Sequence, residues 1–289
     1  MSRPNARSLE LARREESADW NFGSPSGGWG RSNRAIMELI FLGTGTSHGI
    51  PMIGCQCAVC LSDNPKNKRT RTSLLISHAG RNILIDAGID LRQQALREKL
   101  DRLDAILFTH THADHVFGLD EVRRFNVLGN PVIPVYGASK ALADIRRIYP
   151  YIFNAPKVHG GIPSIELIEI DGLFEVCGLR FQPIVIQHGA RQILGFRFGK
   201  VAYLTDCSGI PEASEALLKG LDLLILDALR EKPHPTHFNL EEASRTAHRL
   251  GARRALFVHM SHGLEHEAAN AKLPSHMRLA YDGLRVRLD

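Results

Sequence analysis

The chain has 289 residues, 44% hydrophobic and 23% charged, an ordinary globular composition that excludes disorder as the default and suffices for one large core. A net charge of +5 favours anionic ligands such as phosphates, but the basic residues form no dense stripe of the kind polyanion binding uses. No apolar run approaches the roughly 18 residues of a membrane span, and the charged N-terminus lacks the apolar stretch of a signal peptide, so no membrane partner and a cytoplasmic location are expected.

Residues 1–36 carry the run Gly23-Ser24-Pro25-Ser26-Gly27-Gly28 and no apolar periodicity past Trp20, which reads as a disordered N-terminal tail. Residues 37–289 then read as one domain, without repeats or linkers. Short aliphatic runs predict strands over 39–42, 73–77, 82–86, 105–109, 134–136, 167–170, 179–187, 193–198, 201–205, 223–227, 255–259 and 284–288. Amphipathic stretches predict helices over 91–98, 114–127, 140–149, 212–218 and 240–250. This mixture implies an α/β (α+β) fold, two mixed sheets packed face to face with helices outside.

Chemistry concentrates after the strand 105–109, where the chain reads His110-Thr111-His112-Ala113-Asp114-His115. His110 and His112 alternate on an extended segment and point the same way, whereas Asp114 and His115 come from a first helical turn. Three imidazoles and a carboxylate within six residues suit zinc, manganese or iron. Further donors stand at the ends of apolar runs: His188, Asp206 and His259.

Cys55, Cys57 and Cys60 form a second cluster, C-x-C-x-x-C, which in a reducing compartment reads as metal ligation before disulfide. Three thiolates lack one ligand of a closed tetrahedral zinc. His262, three residues beyond His259 in F-V-H-M-S-H, is the best fourth. Cys177 and Cys207 read as small buried apolar groups.

The pattern H-x-H-x-D-H, a later His, an Asp and a last His resembles the metallo-β-lactamase-fold hydrolases over residues 38–289. The resemblance implies a four-layer αββα sandwich holding two divalent ions, zinc or manganese. It assigns His110, His112 and His188 to the first ion, Asp114, His115 and His259 to the second, and Asp206 to both. It also makes Asp86 the buried aspartate that braces the ligand loop. With G-T-G-x-x-x-G-x-P before the cysteines and V-H-M-S-H near the C-terminus, the chain is similar to the phosphoribosyl cyclic phosphate phosphodiesterases of phosphonate breakdown. Those enzymes are known for a structural zinc of this kind.

A small cyclic phosphodiester is therefore the expected substrate, attacked by a hydroxide that coordination makes available near neutral pH. Besides Asp114, the catalytic candidate is His237, a proton donor for the leaving oxygen, with His234 as its rival. The acidic helix start Glu241-Glu242 is expected to favour a protonated His237. Arg69 and Arg71, in the basic run after the cysteines, are the substrate-binding candidates. Two rivals share the fold: a nuclease acting on RNA or DNA ends, and a non-catalytic metal-binding protein of cofactor biosynthesis. The short gap between His188 and Asp206 leaves no room for an RNA-clamping arm, so nucleic acid is not the favoured partner. A homodimer is the default assembly.

Overall fold

Runs of aliphatic and β-branched residues form two mixed sheets in the computed structural model, which describes residues 36–129, 132–154 and 161–288. Except for Ile36, the expected tail lies outside the described residues. The first sheet contains β1 (Met37–Gly43), β2 (Ser73–His78), β3 (Arg81–Ile85), β4 (Ala105–Leu107), β5 (Ile133–Gly137), β6 (Ile165–Glu169) and β14 (Arg285–Leu288). Its order is β14-β1-β2-β3-β4-β5-β6. The second contains β7 (Phe174–Val176), β8 (Leu179–His188), β9 (Arg191–Phe198), β10 (Val201–Leu204), β11 (Leu223–Asp227), β12 (Arg254–Val258) and β13 (Met277–Leu279), in the order β13-β12-β11-β10-β9-β8-β7.

Three apolar clusters define four layers. Leu39, Phe41, Leu74, Phe196, Tyr203 and Leu256 pack between the sheets. Leu42, Leu84, Val116, Leu119, Leu142 and Ile145 join the first sheet to its outer helices, and Leu204, Leu226, Leu240, Ala243 and Ala247 do the same for the second. The fold is the four-layer αββα sandwich that the sequence resemblance implies. Among the described residues, no helix is long and apolar enough to cross a membrane.

The expected strands form with small shifts at their ends, and β7 and β13 appear in addition. Each is a three-residue edge strand, too short for any period to register in sequence. The expected helix 114–127 is instead a turn of α-helix (Ala113–Val116), a 3-10 turn (Leu119–Val122) and a second α-helix (Arg123–Leu128). Gly118 explains the break. Its N–H donates to the Ala87 carbonyl at 2.9 Å, and a Cβ there would stand 1.9 Å from the Gly88 carbonyl oxygen. Gly88 in turn has no room for a Cβ, which would meet the Asp114 carbonyl oxygen at 2.0 Å. Two glycines thus let the loop after β3 press against the turn that carries Asp114 and His115.

Strands β3 to β6 run parallel, as do β10 to β13, so the ends of β3, β4, β10, β11 and β12 open on one rim. Ligand sites of parallel sheets form at such carboxyl ends. The loop leaving β12 is held from below by Arg69, only 1% exposed, whose guanidinium donates to the carbonyls of Ser261 at 3.0 Å and Leu264 at 2.9 Å. Asn67 extends this brace, accepting from the His266 backbone N–H at 2.9 Å and donating to Glu265 at 2.6 Å.

His266 sits in that brace, and burial together with Arg69 and Lys66 pushes its imidazole down to about 3. A ring buried neutral favours folding fully above the unfolded-state value of 6.5, and its contribution is lost as pH falls toward about 3. Across that window it steepens acid destabilisation by up to about 1.4 kcal/mol per pH unit. Urea unfolding of His266→Leu at several pH values between 4 and 7 should therefore give a flatter acid limb than the wild type; parallel limbs would contradict this origin.

Candidate metal centre

Each strand end on the rim delivers a polar side chain out of an apolar run. Asp86 follows β3, Thr109 and His110 follow β4, His188 ends β8, Asp206 follows β10, Asp227 ends β11 and His259 follows β12. Three of these residues have left-handed backbone: Asp86 at φ 63°, Asp206 at φ 56° and His259 at φ 60°. Non-glycine residues adopt that region at a cost of about 1–3 kcal/mol and keep it where function requires the side-chain direction.

Asp206 is the hub. Its carboxylate lies 3.2 Å from His115 Nε2, 3.3 Å from His259 Nε2 and 3.9 Å from His110 Nε2. Asp114 Oδ2 stands 3.3 Å from His115 Nε2 and 3.4 Å from His259 Nε2. Donor atoms of His110, His112, His188 and Asp206 lie within 4.8 Å of one another, and so do those of Asp114, His115 and His259.

The opposite ring nitrogens are tied back, which fixes the rings. His115 Nδ1 lies 2.8 Å from Asp86 Oδ2, and Asp86 also accepts from the Thr109 N–H at 2.9 Å and hydroxyl at 2.8 Å. His188 Nδ1 donates to the Thr236 carbonyl at 2.8 Å. These bonds leave Nε2 of each ring facing the cleft, the orientation a metal-ligating imidazole needs.

The charges record what the cleft requires. Asp86, Asp114, Asp206 and Asp227 are all buried, and among the described residues no arginine or lysine pairs with them. Burial pushes the His259 imidazole down, yet Asp206 and Asp114 overcome it and lift the ring to about 9; His115 rises likewise between Asp206, Asp114 and Asp86. Burial pushes the Asp206 carboxyl up, and His259 and His115 hold it well below the usual carboxylate range. Protons on His115 and His259 thus stand where cations would be received, while burial pushes the carboxyls of Asp86 and Asp227 up. Nε2 of His110 is buried with no hydrogen-bond partner, and Nε2 of His115 faces only carboxylates, so the residues present fit divalent cations.

A second donor set forms away from the cleft. Sγ of Cys55, Cys57 and Cys60 stand 3.2, 3.5 and 3.7 Å from His262 Nδ1. Tetrahedral zinc, with Zn–S near 2.3 Å and Zn–N near 2.0 Å, places such atoms about 3.5 Å apart. The Cys60 N–H points at Cys57 Sγ and, against the opposing effect of burial, draws that thiol down to about 6. His259 and His262 leave one short loop for two sites.

His237 lies in the cleft, stacked 4.9 Å from the His259 ring, and its Nδ1 is 2.8 Å from Asp227 Oδ2. The expected protonation of His237 is corrected: burial and His259 push its ring down to about 4. Glu242 does not face it, being bound in a capping box with Asn239 at the helix start. His234 stands further out, its Nδ1 directed at Thr236.

Arg69 is likewise corrected, because its buried guanidinium is occupied by the carbonyls of the β12 loop and reaches no cleft. Arg71 is paired with both oxygens of Asp90, at 3.1 and 3.2 Å, and with the Ser47 carbonyl. Sequence reading passed over Asp227 and Arg191. Asp227 carried a signal, an acid ending the buried run Leu223–Leu226 just as Asp86 follows Ile83–Ile85. Arg191 carried none, since the β8–β9 hairpin alone brings its Nη1 to 3.0 Å from His112 Nε2.

The chain is similar to known proteins in sequence and in fold. The family described as Beta-lactamase superfamily domain matches residues 81–260. A crystal structure described as a new diphosphatase from the PhnP family is 42% identical, with a TM-score of 0.82, over 88% of this chain and 98% of that one. Zinc-bound PqqB from Methylobacterium extorquens, 22% identical with a TM-score of 0.70, over 87% of this chain and 99% of that one, shares the fold. An octanoyltransferase of Porphyromonas gingivalis is 41% identical over 258 residues, 88% of this chain but 52% of the relative, so the chain spans about half of that protein's length.

Asp86 touches the ligand loop at three points, so Asp86→Asn should weaken metal binding about 10- to 100-fold in a chelator competition titration. Unchanged affinity would show that the ligand loop holds its shape without the carboxylate.

Proposed function

The chain belongs to the beta-lactamase superfamily, and on that footing we propose that it is a metal-dependent phosphodiesterase that hydrolyses a small phosphodiester, cyclic ones included. The observation that carries this reading is Asp206, one carboxylate standing between two sets of donors. His110, His112 and His188 would hold one divalent ion, Asp114, His115 and His259 a second, with Asp206 shared. Bound ions would supply an acidified water and positive charge opposite the phosphoryl oxygens. The cysteines and His262 would hold a structural zinc.

The protein's own groups handle the proton. With Nδ1–H donated to Asp227, neutral His237 keeps a lone pair on Nε2. That nitrogen can take a proton as attack begins and return it to the departing oxygen, while Asp227, whose carboxyl burial pushes up, keeps the ring oriented through its contact with Nδ1. Loss of this group matters in proportion to the basicity of the leaving oxygen. His237→Ala should lose about 10²- to 10⁴-fold in kcat on an alkyl phosphodiester and far less on bis(p-nitrophenyl) phosphate. Equal losses on both would rule out proton transfer by His237.

The PhnP-family diphosphatase supports phosphoryl chemistry, and the name of the Porphyromonas gingivalis relative supplies a second reading, acyl transfer or hydrolysis. A hydrolysis panel on zinc- and manganese-loaded protein separates them: phosphoribosyl cyclic phosphate, 2′,3′- and 3′,5′-cyclic nucleotides, a diphosphate diester, RNA and an octanoyl thioester. Turnover of a small phosphodiester or diphosphate, abolished by chelator, is the expected result. Turnover confined to the thioester or to RNA would overturn the proposal.

A further inference from the structure

The cysteine cluster is set on an open stretch of chain. Cys55 and Cys57 are half-buried, with Ile53, Gly54 and Gln56 exposed around them, whereas Cys60 is buried beside Ile50 and Val59. Cys57 stands at the N-terminal cap of the short helix Ala58–Leu61, and Cys60 lies three residues on, within it. Helical geometry puts such Cα atoms about 5 Å apart, inside the range of roughly 4.4–6.8 Å that a disulfide spans. The Cys60 N–H points at Cys57 Sγ at 3.5 Å, and the three Sγ atoms lie within 4.8 Å of one another and of the His262 ring nitrogen. His262 belongs to the loop that also carries His259, with Met260 and Ser261 between them bonded to Thr44, Thr46 and Leu229, so whatever holds His262 bears on the cleft.

We propose that Cys57 and Cys60 form an oxidation switch: hydrogen peroxide converts them to a disulfide, the zinc at the cysteines leaves, and the cleft loses affinity for its second ion. The inference rests on the structural-zinc reading and goes beyond it. Half-buried Cys57 meets the peroxide first. Its sulfur attacks one peroxide oxygen, the O–O bond breaks, one water leaves and a sulfenic acid forms. The Cys60 sulfur then displaces the hydroxyl from that sulfenic sulfur, and the hydroxyl departs as the second water. Two cysteines give up two electrons and one peroxide becomes two waters, with protons drawn from solvent where the sulfurs start as thiolates. Four zinc donors fall to two, Cys55 and His262, too few for a tetrahedral site. The loop leaving β12 then lacks its tie to the cysteines and is held by Arg69 and by the contacts of Thr44 and Thr46. His259 is the cleft donor on this loop, so the second ion is the one that loosens.

Peroxide titration of the intact protein tests it, with zinc release read by a chromogenic chelator and thiol state by peptide mass after alkylation without reduction. One Cys57–Cys60 disulfide should form for each zinc released, and dithiothreitol with added zinc should reverse both. The cleft is read separately with manganese, an ion suited to oxygen and nitrogen donors rather than thiolates, from the electron paramagnetic resonance of the unbound ion. Oxidised protein should bind the second manganese about ten-fold more weakly than reduced protein carrying zinc. Cys60→Ser, which cannot close the disulfide, should instead go on to a sulfinic acid at Cys57. Cys57 and Cys60 still open to alkylation at peroxide levels that release the zinc would overturn the switch, as would equal manganese affinities before and after oxidation. If the protein holds no zinc at the cysteines, the structural-zinc reading fails separately, and the disulfide with its effect on manganese affinity still decides whether oxidation governs the cleft.

Discussion

A buried carboxylate with, among the described residues, no lysine or arginine beside it governs this molecule. Asp206 is 2% exposed, and its neighbours in the cleft include another buried acid, Asp114. Isolated charges in such surroundings are costly, and the chain relieves the cost by drawing protons onto His115 and His259. The arrangement makes sense as a receptor for cations. Much of the rest serves to hold it: two sheets whose strands end on one rim, glycines at 88 and 118 that let two loops touch, and left-handed backbone at Asp86, Asp206 and His259.

The exit from β12 ties the two donor sets together. His259 turns into the cleft, and His262, three residues on, turns to the cysteines. Between them Met260 exchanges backbone hydrogen bonds with Thr44 and Thr46, and Arg69 holds the carbonyls of Ser261 and Leu264. A metal at the cysteines would pin the loop from one side while Arg69 pins it from beneath, so the position of His259 depends on residues outside the cleft. This gives the cysteine cluster a physical reason for standing where it does.

How much of this could be read from sequence depended on how local the signal was. The motif from His110 to His115 is contained in six residues, and aliphatic runs ending in His188, Asp206 and His259 announced strand ends, so the layered fold and the cleft donors were visible early. The edge strands β7 and β13 were missed because three residues carry no period. The break at Gly118 was missed because it follows from contact with Gly88, thirty residues earlier. Charge was the least reliable guide. Arg69 reads as a surface cation yet is buried as a brace, and of the acids after His237, Glu242 caps its own helix and Glu241 pairs with Arg245.

The central claim is that one carboxylate serves two ions. Anomalous diffraction from crystals of zinc-loaded protein, recorded on either side of the zinc edge, tests it most directly. The account predicts two peaks in the cleft, one against His110, His112 and His188 and the other against Asp114, His115 and His259, with Asp206 touching both, and a third peak at Cys55, Cys57, Cys60 and His262. A cleft without a peak, or a single peak that leaves Asp206 without contact, would contradict it.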